Sequence, residues 1–273
     1  LRIEGNGLHT GKRATLSIYP AEPNSGVNFL RVDVNPPIFL KASIENVYSA
    51  QRCVTLGKDG VTISTVEHLL AALWGMGIDN ALIEIEGEEV PALDGSAALF
   101  VALLKEGGTV RQKERRKVSN LQESVWVRRE EAHTVALPAP MLQITYLVDY
   151  NHSYASEQIA SFPITEEIFE REIAPARTFG FDYEVETLLK NGYALGGSLE
   201  NAILITKDGP ATPLRFENEL VRHKILDLIG DLSLLGFYPS CHIIAIKASH
   251  NLHLELVKQL AYAMNDKRWI ALC

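Results

Sequence analysis

Apolar residues recur at helical spacing through residues 216–236 (FENELVRHKILDLIGDLSLLG). Ile225, Leu226, Leu228, Ile229, Leu232 and Leu235 form a broad stripe there, no proline interrupts it, and a glycine closes it. A second helix is expected over residues 64–75, apolar on most sides and ending at Gly75-Met76-Gly77. Others are expected at 96–106, capped by Asp94 or Ser96, and at 252–264, with short ones at 164–171 and 183–190. Strand patterns run over 14–19, 27–34, 80–86, 124–129, 142–149 and 241–247, and shorter β-like pieces fill 40–63. Proline-rich turns at Pro20–Pro23 and Pro36–Pro37 break the first of these strands.

The order helix, strand, helix occurs at 65–106 and again at 216–264. The two copies share little sequence, yet both load chemistry onto their first helix. An α+β fold is therefore expected, with two similar halves packed face to face, each a sheet with helices on one side. The expected boundaries are 1–108 for the first domain, with a small β insert at about 40–63, and 123–273 for the second. The basic, polar run at 105–120 marks a solvated crossing between them, giving a linker at 109–122. Residues at about 180–202, punctuated by Gly192, Gly196 and Gly197, form an insert in the second domain.

A length of 273 residues suits one large domain or two ordinary ones. The hydrophobic share of 47% and charged share of 22% are those of a globular protein. A net charge of −8 argues against nucleic acid or an anionic membrane as the main partner, but leaves room for a small anionic substrate in a local basic pocket. Cys53, Cys241 and Cys273 show no paired spacing, lie away from the motifs below, and are expected to be reduced thiols of a cytoplasmic protein. No apolar run is long enough to span a bilayer and no signal peptide is visible. The chain begins at Leu1 without methionine, as expected if an N-terminal segment has been removed.

At about 100° per residue, His223, Asp227 and Asp231 fall at roughly 0°, 40° and 80°, with Lys224 at the edge of the same stripe. An imidazole and a carboxylate one turn apart can hold one divalent metal, with Asp231 a turn further on to orient a second group. The plainer alternative is a His–Asp pair on a solvated face. In Ser64-x-x-Glu67 the carboxylate has a plain reading too, as a capping box, but the adjacent His68 does not. His68 meeting His223 and Asp227 between the halves would make a three-ligand site with an open position. That set serves hydrolytic zinc centres and non-haem iron oxygenases alike. A neighbouring Glu67 favours hydrolysis, which needs a base. His250 is either a general acid or a loop histidine near a helix start. His9, between glycines, is expected to bond its own turn backbone or to approach a ligand.

The blocks GLHTGK, ISTVEHLLAAL, GIDNALIEI, EVPALDGSAA, ARTFGF, LGGSLENAIL and LRFENELVRHKILDLIGDL cover nearly the whole chain. They resemble, in order, those of the UDP-3-O-acyl-N-acetylglucosamine deacetylases, zinc enzymes of the committed step of lipid A synthesis. The pair TVEH with RHK-x3-D-x3-D is the most specific part. The resemblance implies two sandwiches of the ribosomal-protein-S5-second-domain type and one catalytic Zn²⁺, for which Fe²⁺ could substitute in the cell. It implies His68, His223 and Asp227 as metal ligands, Glu67 as general base, and His250 as acid with Asp231 behind it. Thr178 would contact the tetrahedral intermediate, and Lys224 would reach the diphosphate or the oxyanion. Phe179 and Glu184 would lie along the sugar–nucleotide path, with Tyr150 stacked on uracil. The insert at 180–202 would pass the acyl chain. The implied partner is a UDP-linked acylated amino sugar, and the expected state is a monomer. Two departures stand out: where the family usually reads Gly-His-x-Leu-Asn, this chain has Ser249-His250-Asn251-Leu252-His253, and it stops at Cys273, short of many members. An iron oxygenase and a non-catalytic metal-stabilised binding module are the alternatives from other classes.

Overall fold

Burial alternates with period two along the strands that begin the chain. In the computed structural model, which describes residues 1–264, the strands β1 (Arg2–Asn6), β2 (Arg13–Pro20), β3 (Val27–Arg31) and β4 (Ile38–Lys41) come first. A small three-stranded sheet follows, made of β5 (Val47–Ser49), β6 (Thr55–Lys58) and β7 (Val61–Ile63). Helix α1 (Glu67–Gly75), β8 (Ala81–Glu86) and α2 (Ala98–Gly107) complete this half.

The second half opens with β9 (Val118–Asn120), β10 (Val125–Arg129), β11 (Ala132–Pro138), β12 (Gln143–Val148) and β13 (Gln158–Pro163). A single turn, α3 (Glu166–Ile168), runs into a wider turn at Phe169–Ile173. Next come β14 (Phe179–Phe181), α4 (Asp182–Lys190), β15 (Ile203–Thr206) and β16 (Gly209–Pro210), of which α4 lies within the insert expected at about 180–202. Helix α5 (Glu219–Ser233), β17 (Tyr238–Ile246) and α6 (His250–Met264) end the described residues. Cys273 lies outside them.

The duplication is explicit in the sheets. The first runs β1-β2-β8-β3-β4 and the second β10-β11-β17-β12-β13, so each counterpart is nine strands further on. Along these paths each has one parallel pair, β3 with β8 and β12 with β17, among antiparallel neighbours, and the second sheet adds β9 parallel to β17. Helices α1 and α5 pack against each other, α6 against α5 and the second sheet, and one continuous apolar core joins both halves. All nine residues of α1 are buried, which is why its sequence shows no solvent stripe. Gly230 allows the closeness of the two helices, since a Cβ there would collide with the Glu67 carbonyl.

Three local expectations need correcting. Strands β11 and β13 were absent from the sequence reading; each carries proline or polar residues that blur the alternation. The expected linker is not wholly solvated: its end pairs as β9 with β17, and Arg116 stacks over Tyr238 at 4.1 Å while pairing with Asp79 at 2.9 Å. The capping box also fails, for reasons that bear on the site.

Candidate metal and acid–base site

Ser64 cannot cap α1 because its backbone is already committed. Its N–H donates to the Glu88 carbonyl, and its own carbonyl accepts from Val90. Thr65 then turns through φ +56°, a conformation β-branched residues disfavour, and its hydroxyl donates to Glu89 Oε1 at 2.8 Å. Glu89 also accepts from the backbone N–H groups of His9 and Thr10 (2.9 and 2.7 Å), tying the GLHTG turn to the start of α1. The Glu67 side chain is thereby left to look inward. Its Oε2 accepts from the Val54 N–H at 3.1 Å, and its Oε1 lies 3.7 Å from His250 Nε2. Burial raises its pKa above the ordinary carboxylate value.

Across the helix pair, Asp227 Oδ1 lies 3.5 Å from His68 Nε2 and 3.3 Å from His223 Nε2. All three side chains are buried, and their ligand atoms lie within 4.8 Å of one another. These separations exceed a hydrogen bond and match the edge of a tetrahedron drawn at metal–nitrogen distances of about 2.0–2.1 Å, roughly 3.3 Å. His223 Nδ1 donates to the Ala176 carbonyl at 3.1 Å, which fixes the tautomer with Nε2 as a lone-pair donor. Burial pushes His223 down to about 4, so the ring is neutral, as a ligand must be. For Asp227, burial opposes ionisation, but His223 and Lys224 outweigh it and hold the group well below the usual range. The donor set therefore fits a metal ion.

His250 is the first residue of α6, and its Nδ1 lies 2.8 Å from Asp231 Oδ2. Burial opposes its charge, but Asp231, then Asp227 and Glu67, override it and raise the pKa to about 9. His250 Nε2 therefore carries a proton at neutral pH and points toward Glu67 and Asp227. His253, one helical turn on, bonds the same Asp231 oxygen.

The remaining expected residues lie around this centre, some with unexpected partners. Lys224 is half-buried and ends on Asp227 Oδ2 at 2.7 Å; Asp227 and the Tyr150 and Tyr146 phenols raise its pKa despite burial. Phe179 packs edge-on to His223, with ring centres 6.1 Å apart, and Tyr150 packs near Phe179 and Phe181. Thr178 has its backbone clamped between Gly95 and Ile203, and its hydroxyl makes no hydrogen bond among the described residues. Glu184 pairs with Arg52 at 3.1 Å, joining the two inserts. His9 does not bond its own turn: its carbonyl accepts from Leu195 N–H (3.0 Å) and its Nδ1 from Ala194 N–H (3.4 Å). Cys53 is not remote from the motifs, because it precedes Val54, and its buried thiol is pushed up to about 12, partly by Glu67.

Sequence reasoning passed over the open cleft of about 430 Å³ beside Tyr150, lined also by Asp149, His152 and Lys247. It also missed Arg177, whose guanidinium and amide bind the fully buried Glu219 at 2.9–3.1 Å and fix the ARTFGF segment to α5.

Comparison with known proteins agrees with this geometry. The family model described as UDP-3-O-acyl N-acetylglycosamine deacetylase (LpxC) matches residues 1–262. A protein of Syntrophotalea carbinolica named UDP-3-O-acyl-N-acetylglucosamine deacetylase is 44% identical over 262 residues, covering 95% of this chain and 85% of the relative. One of the same name from Trichormus variabilis is 44% identical over 267 residues, covering 96% and 95%. Another, from Myxococcus xanthus, is 42% identical over 260 residues, covering 94% and 83%. A match over nearly the whole length, with the His68–His223–Asp227 cluster assembled between its halves, makes this chain a member of the UDP-3-O-acyl N-acetylglycosamine deacetylase family.

Proposed function

We propose that this protein removes the N-acetyl group of a UDP-3-O-acyl-N-acetylglucosamine, giving acetate and UDP-3-O-acyl-glucosamine for lipid A synthesis. The observation that carries this reading is the convergence of an acid–base pair on the ligand cluster, with Glu67 Oε1 and His250 Nε2 only 3.7 Å apart. His68, His223 and Asp227 would hold one Zn²⁺, with Fe²⁺ suited to the same donors. When bound, the ion supplies Lewis-acid chemistry, polarising the acetyl carbonyl and acidifying a water.

Glu67 takes a proton from the attacking water, for which its raised pKa suits it. As the C–N bond breaks, His250 Nε2 gives its proton to the departing sugar nitrogen, and Asp231 stabilises the ring while it is charged. Thr178, whose hydroxyl has no other partner among the described residues, contacts the tetrahedral intermediate. Lys224 is directed at the oxyanion, since its ammonium lies 2.7 Å from the candidate ligand Asp227. That cleft, with Tyr150 for the uracil and Lys247 for the phosphates, receives the nucleotide. Phe179 and Glu184 border the path between the two. The acyl chain follows the insert, where Leu189 and Leu195 expose apolar surface.

An oxygenase has no use for a base and an acid on either side of its ligands, and a structural metal would be closed by a fourth protein ligand. We further assign the first domain to 1–108, the linker to 109–122 and the second domain to 123–273. Both halves of the site come from one chain, which supports a working monomer. The unpaired, buried thiols of Cys53 and Cys241 support a cytoplasmic setting. No helix among the described residues is long and apolar enough to cross a membrane. The test is release of acetate from the UDP-linked substrate by wild type and His250→Ala. Loss of most turnover in the variant is expected; equal release by both would remove the acid from the mechanism.

A further inference from the structure

Asp231 is held by two imidazoles on a single oxygen. His250 Nδ1 and His253 Nδ1 each lie 2.8 Å from Oδ2, while Oδ1 is buried with no hydrogen-bond partner among the described residues. Asp231 and His253 are both 0% exposed, so neither is in contact with bulk solvent. The terminal torsion of a carboxylate is soft. With one donor on one oxygen the group can swing, and with two it is fixed.

The proton count at His253 is also constrained. Burial lowers its pKa, outweighing the opposing pull of Asp231, so the ring is neutral and carries one proton. An ionised carboxylate only accepts, so that proton sits on Nδ1 and leaves Nε2 as the acceptor. The Tyr146 hydroxyl donates to the Ala248 carbonyl at 2.8 Å and lies 2.9 Å from His253 Nε2. Ala248 stands two residues before His250. The same phenol therefore touches both the His253 ring and the segment that delivers His250.

We propose that His253 is a positioning residue for deacetylation: its Nδ1–H holds the Asp231 carboxylate in the orientation that aligns His250 with the leaving nitrogen. This rests on the roles given above to Asp231 and His250. A space-filling imidazole would pack equally well in either tautomer, whereas positioning requires a donor at one ring position only.

Two substitutions separate these roles. In His253→Asn the amide nitrogen stands near the place of Nδ1 and still donates to Asp231. In His253→Gln more of the volume is kept, but the nitrogen stands near the place of Nε2, toward Tyr146. Steady-state kinetics of the metal-loaded enzyme are measured for both, for Asp231→Asn, and for Asp231→Asn combined with His253→Gln. Expected for the Asn variant is a kcat within about threefold of wild type, and for the Gln variant a fall of about tenfold or more, as misalignment produces. KM and bound metal stay unchanged in both. In the Asp231→Asn background the Gln change costs less than about twofold, because the two residues act as a unit. A Gln variant as fast as the Asn variant, or a full Gln loss in that background, overturns the role of His253. If Asp231→Asn alone turns over at the wild-type rate, the acid–base reading fails first; a slow Asp231→Asn with a normal His253→Gln refutes the positioning role alone.

Discussion

Glu67 reaches the site because the residues before it are tied elsewhere. With Ser64 in a β-bridge and Thr65 bonded to Glu89, its carboxylate is buried and meets Val54 and His250 instead of closing its own helix. Glu67→Gln keeps the shape but accepts no proton; kcat should fall by roughly a hundredfold or more with the metal retained. Near-normal kcat would reduce Glu67 to a structural carboxylate. Asp231 is the largest of the influences raising His250, so Asp231→Asn should lower the histidine's pKa from about 9. A general acid works only below its pKa, so the alkaline limb of the kcat/KM profile should move to lower pH. The acid limb, set by Glu67 and raised mainly by burial, should move much less, because Asp231 is the smallest of the influences on that carboxylate. At this scale the clustering of His223 with Asp227 was legible in the sequence, because helical spacing fixes the direction of a side chain. Glu89, Lys247 and the Arg177–Glu219 pair were not. Their partners lie tens of residues away, and only the folded chain supplies them.

The helices are what bring α1 chemistry to α5 chemistry, and Gly230 is the tightest point of that approach. Gly230→Ala should destabilise the fold by about 1–3 kcal/mol, as overpacking does, and should lower activity further than stability alone explains, because the Glu67 backbone must move. Denaturant midpoints and kcat measured together test this; an unchanged kcat would mean that α1 has slack. Glu219→Ala leaves the Arg177 guanidinium buried without its carboxylate and should cost about 3–5 kcal/mol in the same unfolding measurement. The long helices and the alternating strands were readable from period alone. Strands β11 and β13 were not, since their pairing comes from neighbours rather than from their own pattern. The insert is expected to select by length. Each buried methylene is worth about 0.8 kcal/mol, so kcat/KM should fall stepwise as the substrate's acyl chain is trimmed. Equal turnover of short and long chains would place the acyl group elsewhere.

Across the whole molecule, one sheet-and-helix plan occurs twice with the same strand order, and the candidate site lies on the seam between the copies. The repeat of helix, strand and helix was visible in the sequence, but the shared strand order was not, because it depends on pairings that cross the chain. The two inserts leave the plan at corresponding places, between the fourth strand and the first long helix of each copy, and they touch through Arg52 and Glu184. A core continuous across both halves does not depend on a metal ion to hold together. The most direct test is therefore to strip the protein with a chelator, then measure circular dichroism, metal content and deacetylation of the UDP-linked substrate before and after adding back Zn²⁺. The account predicts a folded, metal-free and inactive protein that regains turnover at one Zn²⁺ per chain, and no such recovery in Asp227→Ala. Full turnover by the metal-free protein would contradict it.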